Sequence, residues 1–273
     1  MVPRSLASIL KAMNLDLNEK VVIVSGGASG IGAAIVRTLS EEDAIPVIVG
    51  SNSNGAADCL VAEIRSNGKQ SLHITADLCD TENCRMVIEQ TVKAFGRIGG
   101  LVNNAGVNDS IGLENGSPEK YIESINRNLT HYYSLAHFAL PHLKRSKGPI
   151  VNVSSKVAET GQGGTSGYAS SKGGINALTR EWAVELRQYG IRVNCAIPSE
   201  VWTPSYERWI NTFPDREEKL KSITSRIPLG KRMTTPEEIA RMVVFLLSPL
   251  SSHTTGQLIY VDGGYVHLDR AID

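Results

Sequence analysis

Continuous apolar runs alternate with stretches of helical periodicity along almost the whole chain. Val21, Val22, Ile23 and Val24 form one such run, the pattern of a strand buried on both faces of a parallel sheet. It leads into S-G-G-A-S-G-I-G at 25–32 and then A-A-I-V-R-T-L, whose apolar positions recur at helical spacing. The same reading predicts a strand at 46–49, a helix near 56–66, a strand at 71–76 ending on Asp77, a helix near 82–95 and a strand at 101–102. A long helix is predicted over 119–144, followed by a strand at 150–153 that ends on Ser154 and Ser155. A helix carrying Tyr168 runs to about 189, and a strand at 191–196 precedes a variable helical excursion. A helix at 236–247 and a strand at 258–261 complete the pattern. Strands alternating with helices imply parallel β-α-β units with right-handed crossovers. The expected fold is α/β: a single-domain Rossmann architecture, doubly wound, with about seven parallel strands and helices on both faces. No repeat, low-complexity tract or linker divides it. Residues 17–273 therefore read as one domain behind an N-terminal extension, 1–16, whose short apolar stretch lacks a secretory core or cleavage site.

In a doubly wound sheet, ligands sit beyond the carboxyl ends of the strands. The predicted ends of strands one, three, four and five are the glycine turn, Asp77, N-N-A-G at 103–106 and Ser154-Ser155, so the polar signals gather on one edge. Strand, glycine turn and helix in succession make a phosphate-binding context, because glycine admits close approach of a bulky anion and the helix N-terminus offers free N–H groups. A second cluster lies in S-K-V-A-E-T-G-Q-G-G-T-S-G-Y-A-S-S-K at 155–172. Tyr168 and Lys172, four apart on a helix, share one face. A free phenol has a pKa of roughly 10, too high for proton transfer at neutral pH, and a nearby ammonium favours its ionised form. The pair reads as a general acid/base acting on an alcohol or carbonyl, with Ser155 able to hold the same oxygen.

Composition narrows the partners. With 28 basic and 28 acidic residues, the chain carries no net charge to attract nucleic acid or an anionic membrane. No apolar run approaches the roughly 20 residues of a membrane span. Cys59, Cys79, Cys84 and Cys195 form no C-x-x-C pair and no zinc spacing, which suits incidental thiols in a reducing cytoplasm and predicts no metal site.

The motifs S-G-G-A-S-G-I-G, N-N-A-G, V-N-V-S-S, Y-A-S-S-K and R-V-N-C-A-I-P, in this order and spacing, resemble the short-chain dehydrogenase/reductase family from about Leu17 onward. The resemblance implies Tyr168 as acid/base, Ser155 orienting the substrate oxygen, and Lys172 holding the nicotinamide ribose and lowering the tyrosine pKa. It implies that Asn128, in N-R-N-L-T, holds a water of the proton relay. It further implies cofactor contacts at Gly26, Ser29, Gly30, Ile31 and Gly32 for the pyrophosphate, Asp77 and Leu78 for adenine, and Asn104, Ala105 and Gly106 for the groove floor. Pro198, Val201 and Thr203 would belong to the loop covering nicotinamide. The family usually has Pro-Gly where this chain has Pro198-Ser199, and serine does not adopt glycine's angles freely, which points to a different loop path. At the end of strand two, NAD-specific relatives place an acid that holds the ribose and repels a 2′-phosphate. Gly50, Ser51 and Asn52 stand there instead, so NADP is expected to be accepted with a modest preference and NAD to remain usable.

The variable stretches, among them N-N-A-G-V-N-D, N-L-T-H-Y-Y and the tail V-D-G-G-Y-V-H-L-D-R-A, are similar to those of sugar-oxidising members of the family. That likeness implies oxidation of a sugar such as L-fucose, D-arabinose or L-galactose at its anomeric carbon to the lactone. Asn108, Lys156, Gln162, Thr165 and Glu200 supply donors and acceptors near the expected site, where a steroid or acyl chain would call for a more apolar lining. Trp202, Tyr206 and Trp209 either stack on a sugar face or pack a lid. A steroid or acyl substrate, and a non-catalytic binding protein on the same fold, stay open as alternatives. Apolar and aromatic residues around much of 121–143, including Tyr132, Tyr133 and Phe138, predict burial on more than one side. The resemblance implies a homotetramer built through this helix and the Tyr168 helix. The tail around His267, Asp269 and Arg270 is a candidate to reach a neighbouring site.

Overall fold

The computed structural model describes residues 14–51 and 55–269. Asn52, Arg270 and residues 1–13 of the expected extension lie outside the described residues. Leu15, near the end of that extension, and Leu17, the first residue of the expected domain, pack into the core.

The strands β1 (Val21–Ser25), β2 (Ile45–Gly50), β3 (Leu72–Thr75), β4 (Gly100–Asn103), β5 (Ile150–Val153), β6 (Val193–Pro198) and β7 (Leu258–Val261) form one sheet in the order β3-β2-β1-β4-β5-β6-β7. Every pairing is parallel. All carboxyl ends therefore open on one edge, and the order reverses between β1 and β4, where a doubly wound sheet leaves its crevice. β1 shows why the sheet needs cover on both sides. Val21 and Ile23 enter one core and Val22 and Val24 the other, as alternation along a strand requires.

One core packs α1 (Gly30–Glu41), α2 (Ala56–Ser66) and α9 (Pro236–Leu247); the other packs α3 (Thr81–Phe95), α5 (His131–Ser146) and α6 (Ser166–Leu186). The helix expected unbroken over 119–144 is α4 (Pro118–Ile125), a π turn at Asn126–Thr130, and then α5. Periodicity cannot see the one extra residue that a π turn inserts, and π turns gather at functional positions. The excursion after β6 folds as α7 (Pro204–Ile210) and α8 (Arg216–Thr224). Among the described residues, no helix is long and apolar enough to cross a membrane.

Candidate active site

The β1 exit, the α1 start and the β4 exit are tied tightly together. The Ser25 hydroxyl accepts from the N–H groups of Asn104 (2.9 Å) and Ala105 (3.1 Å). The Asn104 amide donates back to the carbonyls of Ser25 (3.0 Å) and Gly26 (3.3 Å). Two glycines make this approach possible. A Cβ on Gly26, at φ +65°, would lie 2.9 Å from the Ala105 Cα, and one on Gly32 would lie 2.1 Å from the Gly26 carbonyl oxygen. At Gly30 the direction of a Cβ meets only the Thr203 side chain, at 3.3 Å, so Thr203 faces the glycine turn across the mouth of the crevice. Ser29 is exposed before α1 and its hydroxyl makes no capping hydrogen bond, leaving it free beside the helix N-terminus.

A glycine cradle, free N–H groups and an uncommitted hydroxyl fit the pyrophosphate of a dinucleotide. Ile31 is half-buried next to them. Farther along the same edge, Asp77 is exposed, with its carboxylate accepting from the Cys79 N–H at 3.0 Å, and Leu78 is buried. Ser51 is exposed at the end of β2, and Ala105 and Gly106 lie on the β4 exit. Pro198 and Val201 are buried under the loop that carries Thr203.

The second part of the site joins β5 to α6. Ser155, just past β5, caps the short turn Lys156–Ala158 and accepts from the Val157 N–H at 3.4 Å. Its hydroxyl also faces the Tyr168 phenol and favours the ionised form of that phenol. Gly167 lets the first turn of α6 seat against α4, since a Cβ there would stand 2.4 Å from the Ser124 Oγ. Lys172 follows one turn later and is 3% exposed. Its ammonium donates to the Val153 carbonyl (2.9 Å) and the Tyr132 hydroxyl (3.3 Å), and lies 5.4 Å from the centre of the Tyr168 ring. A Cβ on Gly106 would come within 3.6 Å of that ammonium, so Lys172 reaches the β4 exit and the two halves of the site meet there.

Electrostatics in the protein alone run opposite to the expectation for Tyr168. Burial of its hydroxyl end pushes the phenol up to about 12, opposed only by the Ser155 hydroxyl. Burial likewise lowers Lys172 to about 8. The ammonium is itself penalised by the interior, and its resolved donors point at Val153 and Tyr132 instead of the phenol. Asn128, in the π turn, is buried with both side-chain functions used. Its Oδ1 accepts from the Val107 N–H (2.7 Å) and its Nδ2 donates to the Ser124 carbonyl (3.0 Å). The side chain thus braces the β4 exit loop against the helix.

On the substrate side, the Lys156 ammonium is paired with the Glu200 carboxylate and lies 3.9 Å above the Tyr265 ring. Glu200 also accepts from the Tyr206 hydroxyl at 2.8 Å. Thr165 is buried just before α6, whereas Gln162 stays exposed on the glycine-rich loop. Asn108 is exposed, its Oδ1 accepting from the Ser110 N–H at 3.2 Å. Trp202, Tyr206 and Trp209 pack on one another, with successive ring centres 6.3 and 5.1 Å apart. A cavity of about 490 Å³ touches Trp202, Leu220, Lys221 and Met233, away from Ser155, Tyr168 and Lys172. After Pro198 the chain keeps Ser199 out of the left-handed region, and Val201 bridges to Thr234. The serine is therefore accommodated without strain.

Sequence reasoning missed Tyr132, Tyr265 and the Tyr206 anchor. Tyr132 stands four residues after Asn128 on a helix, so the shared face was a usable signal. The Tyr265 contact with Lys156 is made across the fold, and the Tyr206 bond to Glu200, though only six residues apart, spans an irregular turn whose path periodicity does not give.

Residues 26–266 match a family model described as enoyl-(acyl carrier protein) reductase. Over 254 residues the chain is 35% identical to the L-fucose dehydrogenase of Bos taurus, spanning 93% of this chain and 92% of that protein. It is 38% identical to the 3-oxoacyl-(acyl-carrier-protein) reductase FabG of Thermotoga maritima, over 92% of this chain and 100% of that one. The crystal structure of Cj0485 dehydrogenase is similar at a TM-score of 0.91 and 43% identity, covering 96% of this chain and 99% of that one. Switch-point crevice, glycine turn and full-length likeness agree: the chain belongs to the short-chain dehydrogenase/reductase family and is an NAD(P)-dependent oxidoreductase acting on CH–OH groups.

Proposed function

We propose that the protein oxidises a sugar at its anomeric carbon to the lactone, L-fucose first and D-arabinose or L-galactose as stereochemical relatives. The observation that carries the chemistry is the convergence of Ser155, Tyr168 and Lys172 beside the β4 exit. In this reading Ser155 holds the substrate oxygen and Tyr168 takes the hydroxyl proton. Lys172 holds the nicotinamide ribose and, while protonated, favours the phenolate. Asn128 contributes through the main chain of its π turn, since its amide is already engaged. The nicotinamide, when bound, accepts or returns the hydride.

Gly26, Ser29, Gly30, Ile31 and Gly32 would hold the pyrophosphate, Asp77 and Leu78 the adenine, and Asn104, Ala105 and Gly106 the groove floor. Pro198, Val201 and Thr203 would close over the nicotinamide. Ser51 carries no charge to repel a 2′-phosphate, which supports acceptance of NADP with a modest preference over NAD. Polar groups on the segments that follow β4, β5 and β6 support a hydroxylated substrate: the Lys156–Glu200 pair, Thr165, Asn108 and Gln162, with Trp202 at the lid. The likeness to L-fucose dehydrogenase points the same way. Likeness to FabG at 38% identity keeps an acyl ketone as the second reading. The four cysteines are unpaired, which suits a cytoplasmic enzyme.

A substrate panel tests this. L-fucose, D-arabinose, L-galactose, a steroid alcohol and a hydroxyacyl thioester would each be offered with NAD and with NADP, following nicotinamide absorbance. The expected result is the highest kcat/KM on L-fucose, with NADP modestly ahead. Turnover confined to the steroid or the thioester replaces the sugar reading, and no turnover of any alcohol favours a binding protein. A strong NAD preference overturns the cofactor assignment.

The same reading includes a homotetramer. Ile122 of α4, Tyr133 of α5 and Val184 of α6 are 67%, 55% and 60% exposed, and Tyr133 leans on Trp182 with ring centres 6.4 Å apart. An apolar face shared by these helices suits burial against other copies. Light scattering is expected to give four times the chain mass, and a monomer rejects the assignment.

A further inference from the structure

We propose that Tyr132 is a positioning residue for this chemistry: its buried hydroxyl, fixed on the Val153 carbonyl, clamps the Lys172 ammonium and leaves one ammonium donor for the site. The inference rests on the reading of Tyr168 and Lys172 as the reacting pair.

Tyr132 is 0% exposed, and a buried hydroxyl is costly unless it finds partners. It finds two. The hydroxyl donates to the Val153 carbonyl at 2.9 Å and accepts from the Lys172 ammonium at 3.3 Å. Lys172 in turn donates to the same carbonyl at 2.9 Å. Three groups from α5, β5 and α6 thus close a triangle, two residues before Ser155 in the chain. An ammonium has three donors. With two committed, the rotation of the third is set by the protein and not by solvent.

The groups facing Lys172 are Tyr168 on its own helix, Tyr132 and His131 on α5, and Cys195 on β6. Burial raises Tyr132 well above its ordinary value, pushes Cys195 up to about 12 and lowers His131 to about 4. Each of these three is therefore neutral near pH 7. Lys172, lowered to about 8, is the group in the cluster that changes charge close to neutrality. A neutral phenol that accepts from the ammonium favours the charged lysine and works against burial. Its removal lowers the pKa of Lys172 further. The protonated range of Lys172, over which it supports the phenolate, then ends at a lower pH.

Tyr132→Phe tests this with two readouts. The first is the titration midpoint of Lys172 by NMR of lysine-labelled protein without cofactor, with the signal assigned by its loss in Lys172→Arg. The midpoint is expected to fall by roughly one unit, the size of a modest differential interaction between protonation states. The second is the pH profile of alcohol oxidation, where kcat is expected to fall about tenfold with little change in the substrate KM, and the alkaline limb to move to lower pH. A purely structural role lowers the melting temperature and leaves the midpoint where it was. An unchanged midpoint in folded Tyr132→Phe overturns the proposal. Should that variant fail to fold, 3-fluorotyrosine at position 132, a weaker acceptor of nearly the same size, is expected to shift the midpoint the same way by less, and no shift overturns the proposal. The NMR midpoint needs no turnover, so it separates failure of this inference from failure of the sugar assignment.

Discussion

Tyr168→Phe is expected to lose turnover by roughly 10²–10⁴-fold, the range of a positioned acid/base. The ring stays, so packing at the start of α6 is retained. What disappears is the hydroxyl beside Ser155, and with it the group that exchanges a proton with the substrate oxygen. The tyrosine hydroxyl is already a weak acid in the protein alone, pushed up to about 12 by burial. It is thus held in the protonated form that returns a proton to a carbonyl; as a base for oxidation it must ionise, so wild-type oxidation is expected to climb with pH until Lys172 loses its proton. Tyr168→Phe is expected to lose that rising limb along with the rate. Initial rates across pH, circular dichroism and quenching of nicotinamide fluorescence check the three parts: low rate, native fold, retained cofactor binding. Near-native kcat would refute the role of the phenol.

Gly32→Ala is expected to destabilise the fold and weaken cofactor binding together. Two effects oppose each other. Alanine gains up to about 1 kcal/mol over glycine in helix propensity. Against this, the new methyl would stand 2.1 Å from the Gly26 carbonyl oxygen and 2.8 Å from the Asn104 amide, and the nearer obstacle is backbone that cannot rotate away. Overpacking of that kind costs roughly 1–3 kcal/mol, so the steric term wins unless the turn moves. If the turn moves, it breaks the Asn104 bonds to Ser25 and Gly26 that hold the crevice in shape. The melting temperature is expected to drop by several degrees, about 2–4 °C for each kcal/mol in a chain of this size. Nicotinamide affinity measured by fluorescence titration is expected to fall about tenfold or more. A variant as stable and as tight-binding as wild type would show that α1 can back away from the turn.

Much of the scaffold could be read before any coordinates. The periodic segments at 56–66, 236–247 and 258–261 fold within the expected bounds, as α2, α9 and β7. Elsewhere local pattern misled. The run from Ile191 is apolar because Ile191 is buried, yet β6 pairs only from Val193 and continues to Pro198. The helix over 119–144 carries a π turn where Asn128 reaches across to Val107.

The sequence by itself determined the parallel alternation of strands and helices, the glycine turn at the end of β1, and the gathering of Ser155, Tyr168 and Lys172 on one edge. These follow from side-chain spacing, which is a property of neighbours in the chain. Only the tertiary structure decided how the charges are spent. Lys172 meets Tyr132 forty residues away, and Lys156 is neutralised by Glu200 forty-four residues away. It also decided that Tyr168 is a weaker acid than a free phenol, because desolvation depends on everything packed around a group and not on the lysine one turn further along its helix.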